Sequence, residues 1–140
     1  MTAPADLMEA ALEARTRAYA PYSRFLVGAA IRTTSGAVIA GCNVENAAYP
    51  QGACAEAGAI SAMLLAGERR IAEICIVGDL KDAAPDGTGP LCTPCGGCRQ
   101  RIREFAYPET PVHICGLEGW RRTFTLEALL PASFGPENLA

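Results

Sequence analysis

The run Ile74-Cys75-Ile76-Val77, set between Glu73 and Gly78, is the feature that most constrains this chain. It is a continuous apolar stretch without alternation, the pattern of a strand covered on both faces. A sheet built around such a strand needs helices on each side, and the flanking sequence supplies them. A helix is expected from Asp6, where Asp6 and Glu9 have capping-box spacing. Leu7, Ala11, Leu12 and Ala18 form its apolar face, and Pro21 stops it. Residues 27–34 and 37–45 read as two strands joined at Ser35-Gly36. In the second, Asn43 and Glu45 share a face because side chains alternate. After a loop holding Pro50 and Gly52, residues 54–66 read as a helix that is apolar nearly all round, hence buried, ending at Gly67. A third helix spans 95–106, following Pro94 and ended by Pro108. Residues 112–115 form another short apolar strand, 123–125 an edge strand and 125–130 a short helix. The order hairpin, helix, strand, helix, strand gives one mixed sheet with helices on both faces. At 140 residues, without repeat or linker, 1–140 is expected to be a single domain.

Charge and residue counts exclude several functions. Twelve basic against fifteen acidic residues give a net charge of −3, so no nucleic-acid partner is expected. The arginines at 69, 70, 99, 101, 103, 121 and 122 then read as solvated or interface charge. No apolar run approaches a membrane span. Asp6, Glu9 and Glu13 interrupt the N-terminal apolar residues, which argues against a signal peptide and for the cytoplasm. The one histidine, His113, rules out a two-histidine metal site within one chain and is expected to lie, satisfied, on or near a buried strand. Seven cysteines, an odd number, point to metal ligands, catalytic groups or core residues rather than disulfides. Cys42, Cys75 and Cys115 fall in strand patterns and read as core.

The remaining cysteines carry the chemistry. Cys54-Ala55-Glu56 and Pro94-Cys95-Gly96-Gly97-Cys98 each open an expected helix. Cys95 and Cys98, three apart, lie on one face of a first turn. Helix N-termini carry unpaired N–H groups and partial positive charge, which favour thiolates. Two such ends meeting offer three sulfurs to one ion, with a fourth tetrahedral position open, the layout of a catalytic zinc site. Glu56, two residues after Cys54, stands beside the metal without ligating it, placed to move protons between water and a substrate nitrogen. Metal ligand, one residue, Glu, then Pro-Cys-x-x-Cys is the pairing of zinc-dependent deaminases.

The chain closely resembles the cytidine deaminase family in its short, homotetrameric form. The resemblance runs from Pro21-Tyr22-Ser23-Arg24-Phe25 to Leu130-Pro131-Ala132-Ser133-Phe134-Gly135. Between these lie Val27-Gly28-Ala29-Ala30, the segment from Gly41 to Tyr49, and the two cysteine motifs, the second running on to Arg99-Gln100. It implies a three-layer α/β/α cytidine-deaminase-like fold with a mixed, roughly five-stranded sheet. It implies one Zn2+ per chain on Cys54, Cys95 and Cys98, and Glu56 as proton shuttle. Asn43 and Glu45 match the pair that binds the ribose 3′-hydroxyl, Phe25 the aromatic beside the pyrimidine, and the Ala55 backbone a contact to the base edge. Ala47, Tyr49 and Phe134 match positions that complete a neighbouring subunit's pocket. The implied reaction is hydrolytic deamination of cytidine and 2′-deoxycytidine in pyrimidine salvage, with metal-activated water attacking C4 and ammonia leaving.

Alternatives remain at this level. Cys92 is near enough in sequence to close a four-sulfur structural site, but such a site leaves Glu56 without a role. A redox Cys-x-x-Cys leaves Cys54 and Glu56 unexplained. A polynucleotide-editing deaminase needs a basic, aromatic strand path, disfavoured by one Trp and net −3. A deaminase of a related nucleoside such as blasticidin S shares the zinc motifs, although Asn43-Val44-Glu45-Asn46 favours ribose recognition. Many short family members also carry Arg directly after the catalytic Glu, hydrogen-bonded to the thiolates, whereas this chain has Ala57. Helix dipoles and backbone N–H groups at Gly97 and Cys98 are expected to replace it, with Arg99 the nearest cation in sequence.

Overall fold

The structure is a computed structural model describing residues 1–140. Its helices are α1 (Ala5–Arg15), α2 (Ala55–Leu65), α3 (Gly96–Phe105) and the single turn α4 (Leu126–Leu129). Its strands are β1 (Phe25–Thr33), β2 (Val38–Cys42), β3 (Ile71–Leu80), β4 (Pro111–Gly116) and β5 (Gly119–Thr125). They form one sheet in the order β2-β1-β3-β4-β5. Only β3 and β4 run parallel, joined by the crossover that carries α3. The mixed five-stranded sheet with helices on both faces is therefore as expected.

The apolar run of β3 divides between two cores. Ile74 and Ile76 join Ala29, Ile31, Val112 and Ile114 beneath Ala59 and Met63 of α2 and Ile102 of α3. Cys75 and Val77 face the other way, with Ala30 and Cys115, against Leu7 and Ala11 of α1. Cys75 and Cys115 are thus buried core thiols, while Cys42, on the edge strand, is half-buried. Two glycines set how closely the helices lie on the sheet. A Cβ on Gly28 would strike the α1 backbone, 2.6 Å from Arg15 N, and one on Gly41 would lie 2.8 Å from Ala55 O of α2. The close seat on Gly41 fixes the height of the α2 N-terminus over the sheet. His113 is fully buried on β4, its ring nitrogens 2.8 Å from Thr123 Oγ1 and 2.8 Å from Glu73 Oε1.

Three boundaries differ from the sequence expectation. α1 ends at Arg15, well before Pro21: a turn follows, with Ala18 N donating to Arg15 O at 3.1 Å, and Tyr19 then bridges to Val44, its N–H donating to Asn43 O at 3.0 Å. Its start has no capping box: Pro4 is the N-cap, and Asp6 pairs with Arg32 at 2.7 Å. β2 stops at Cys42 because Asn43 turns its amide onto the β1 backbone, a side-chain alternative to the ladder. β5 begins at Gly119, whose φ of 135° closes a tight turn out of β4 and makes a seven-residue strand. No helix is long and apolar enough to cross a membrane.

Candidate active site

Cys54 immediately precedes α2, Cys95 immediately precedes α3, and Cys98 lies in the first turn of α3. Both helices pack on the same face of the sheet, which brings their N-termini together. The three sulfurs lie within 4.8 Å of one another, with Cys54 Sγ and Cys95 Sγ 3.9 Å apart. Zinc–sulfur bonds of about 2.3 Å in a tetrahedron place sulfurs about 3.8 Å apart; the Cys54–Cys95 pair matches this, and the cluster as a whole is near enough to hold one Zn2+. Soft thiolate donors also suit zinc. Neither Cys92 nor Glu56 belongs to the cluster. Cys92 packs instead against Gly78, whose absent side chain leaves room for its sulfur, and burial pushes its thiol up to about 12.

The thiols differ in environment. Burial raises Cys54 and Cys98 above the ordinary thiol range. Burial acts on Cys95 too, but the backbone N–H of Cys98 and hydrogen bonds from the Cys98 and Cys54 side chains outweigh it and hold Cys95 below that range. The expected backbone contribution from Cys98 is thus present. Glu56 is in the first turn of α2 and only 5% exposed. Burial raises its carboxyl above the usual range, against a smaller opposing pull from its own backbone N–H and from Arg101. A buried carboxyl so shifted is ready to hold a proton as well as to release one.

The residues expected on the substrate side fall into two groups. Phe25 opens β1 and lies over Gly78 beside Cys92. Asn43 uses both amide atoms on the β1 backbone, accepting from Val27 N at 2.8 Å and donating to Phe25 O at 2.9 Å. Its second amide proton and second lone pair stay available. Glu45 accepts from the Ser23 hydroxyl, Ser23 N and Tyr22 N, which holds its carboxyl below the usual range and fixes its direction. Glu45, Tyr22, Ser23, Asn46, Tyr49 and Gly52 line an open cleft of about 390 Å3. Ala55 is buried at the start of α2. Ala47, Tyr49 and Phe134 are exposed, Tyr49 at 76% and Phe134 at 57%. Phe134 lies on the C-terminal tail, where its carbonyl accepts from Gln100 of α3 at 3.0 Å.

Of the α3 arginines, Arg99 and Arg103 are half-buried rather than solvated, whereas Arg101 is exposed as expected. Arg99 faces away from the sulfurs, donating to Pro94 O and Leu129 O (both 2.8 Å) and to Thr93 Oγ1, so it braces the ligand loop. Arg103 is held by Ser133 and Glu137. It is Arg101, singled out by nothing in the sequence reading, whose Nη1 reaches Cys98 Sγ at 3.7 Å. The signal was available: 98 and 101 are three apart on one helix, hence neighbours on its surface.

The fold and the cysteine cluster define a zinc-binding enzyme of the α/β/α class. Residues 1–114 match the family described as "Cytidine and deoxycytidylate deaminase zinc-binding region". The cytidine deaminase of Halalkalibacterium halodurans is 39% identical over 133 residues, covering 95% of both chains. That of Mycobacterium tuberculosis is 37% identical over 129 residues, covering 92% of this chain and 87% of the relative. The crystal structure of cytidine deaminase from Burkholderia pseudomallei superposes with a TM-score of 0.82 at 43% identity, covering 92% of this chain and 97% of that one. The chain belongs to the cytidine deaminase family.

Proposed function

We propose that this chain, acting as one domain, hydrolyses cytidine and 2′-deoxycytidine to uridine and 2′-deoxyuridine with release of ammonia. The observation that carries the reading is the meeting of Cys54, Cys95 and Cys98 at two helix N-termini, with Glu56 buried two residues from the first. Cys54, Cys95 and Cys98 would hold one Zn2+, which would supply the Lewis acidity that eases loss of a proton from water near neutral pH. Glu56 takes a proton from water as the water oxygen bonds to C4 and gives it to N3 of the pyrimidine; it then moves the proton of the new C4 hydroxyl to the exocyclic amine, and the C4–N bond breaks to release ammonia and leave the C4 carbonyl. Its burial supports this, since a carboxyl kept from bulk water returns its proton to substrate rather than to solvent.

Phe25 packs against the pyrimidine, and the Ala55 backbone meets the base edge. Glu45 accepts from the ribose 3′-hydroxyl and Asn43 donates to it through its second amide proton. The hydrogen bonds that already orient Glu45 support an acceptor of fixed direction. Ala47, Tyr49 and Phe134 complete the pocket of a neighbouring chain in a homotetramer. The exposure of the two large rings supports that they are covered by a partner. Seven free thiols fit the reducing cytoplasm, and the product nucleosides fit pyrimidine salvage. The relatives' names, cytidine deaminase throughout, disfavour blasticidin S as substrate.

The test is to incubate the purified protein with cytidine and follow the loss of its ultraviolet absorbance, with and without a zinc chelator. Conversion to uridine that stops on chelation is expected. No conversion by zinc-loaded protein refutes the reading.

A further inference from the structure

We propose that Arg101 is the positioning cation of the zinc cluster: its guanidinium fixes Cys98 Sγ and balances the charge of the three sulfurs. The inference rests on Cys54, Cys95 and Cys98 being the zinc ligands. Three thiolates on Zn2+ leave a net charge of −1 in a site whose nearest carboxyl, Glu56, is itself buried. Ala57, beside that carboxyl, brings no charge.

Three arginines line α3, and two are committed elsewhere: Arg99 to the Pro94 and Leu129 carbonyls, Arg103 to Glu137 and Ser133. Arg101 has no carboxylate partner, and Cys98 Sγ, at 3.7 Å from Nη1, is its hydrogen-bond acceptor. The contact is an i,i+3 pair on one helix face, so helix geometry alone keeps the two side chains adjacent.

Gly97 gives the guanidinium its room. A Cβ built there would lie 3.0 Å from Arg101 Nη1, so the guanidinium passes over Gly97 where it reaches Cys98 Sγ. Groups that hydrogen-bond to a metal's ligands orient them and tune the metal, and losing one costs about 10–100-fold in affinity or activity.

The experiment compares zinc-loaded wild type, Arg101→Gln, Arg101→Lys and the distant control Arg122→Gln. Zinc release into the chromophoric chelator 4-(2-pyridylazo)resorcinol is timed, and affinity is measured by competition with the same chelator. Arg101→Gln should release zinc faster and bind it about 10–100-fold more weakly. Arg101→Lys should fall between, since an ammonium keeps the charge but loses the planar fork. Arg122→Gln should match wild type, and the far-ultraviolet circular dichroism of all four proteins should superimpose. Arg101→Gln that holds zinc as wild type does overturns the proposal. So does Arg101→Lys no better than Arg101→Gln, or a changed dichroism spectrum in Arg101→Gln, which makes the effect one of folding. Wild type that binds no zinc overturns the ligand assignment and the role of Arg101 together.

Discussion

Replacing Glu56 by Gln separates catalysis from stability, because the two should move in opposite directions. The side chain is 5% exposed, and the amide fills the same volume without the charge. Losing a general acid–base group costs roughly 100- to 10,000-fold in rate. That is about 2.7–5.4 kcal/mol at 1.36 kcal/mol per decade. Since one carboxyl serves successive transfers here, kcat should fall toward the upper end while zinc content stays that of wild type. Stability should go the other way. The folded-state pKa of Glu56 is raised, chiefly by burial, so the unfolded chain ionises it more readily than the folded one. Below the ordinary carboxyl value both states are protonated and the group contributes nothing. As pH climbs from there through the raised value, ionisation increasingly favours the unfolded state. Zinc-stripped Glu56→Gln should therefore melt above zinc-stripped wild type at neutral pH and level with it in acid. The assays are ultraviolet turnover of cytidine, metal analysis and thermal melting at both pH values. Turnover above about a tenth of wild type contradicts the proton-shuttle role, as general acid–base groups are worth far more. A variant that melts lower at neutral pH contradicts the burial argument.

Cys92→Ser should keep most zinc and activity, since Cys92 packs at Gly78 outside the cluster, whereas Cys95→Ser should lose both; metal analysis distinguishes them. With 3′-deoxycytidine, kcat/KM should fall by about 5- to 150-fold, the equivalent of about 1–3 kcal/mol for unpaired polar partners, while 2′-deoxycytidine remains a good substrate; equal efficiency on all three contradicts the roles of Asn43 and Glu45. Gly41→Ala places a methyl 2.8 Å from Ala55 O and must lift the start of α2. It should cost about 1–3 kcal/mol in denaturant melts and weaken zinc binding through Cys54; a melt unchanged from wild type contradicts the close seating of α2.

The cysteine and glutamate motifs were legible in the sequence because their chemistry is local. Cys54 and Glu56, and likewise Cys95 and Cys98, sit in single helical turns, so spacing alone relates them. The central strand was legible because burial on both faces leaves an unbroken apolar run at 74–77. What local pattern did not carry was set by contacts reaching across the fold. The chain leaves α1 early because Tyr19 bridges to Val44 beyond β2, a contact 25 positions away in sequence. Asp6 has the sequence of a cap residue, but Arg32 takes its carboxylate. Helix spacing puts Arg101, not Arg99, on the face of Cys98, but the carbonyl of Leu129 that helps to hold Arg99 comes from 30 positions away and has no local signal.

Titrating zinc into the metal-stripped protein while assaying cytidine deamination tests the central claim most directly. Activity should rise linearly with bound zinc and break sharply at one ion per chain, in line with a single three-cysteine cluster. Deamination by protein without metal, or no deamination once one zinc per chain is bound, would contradict the account.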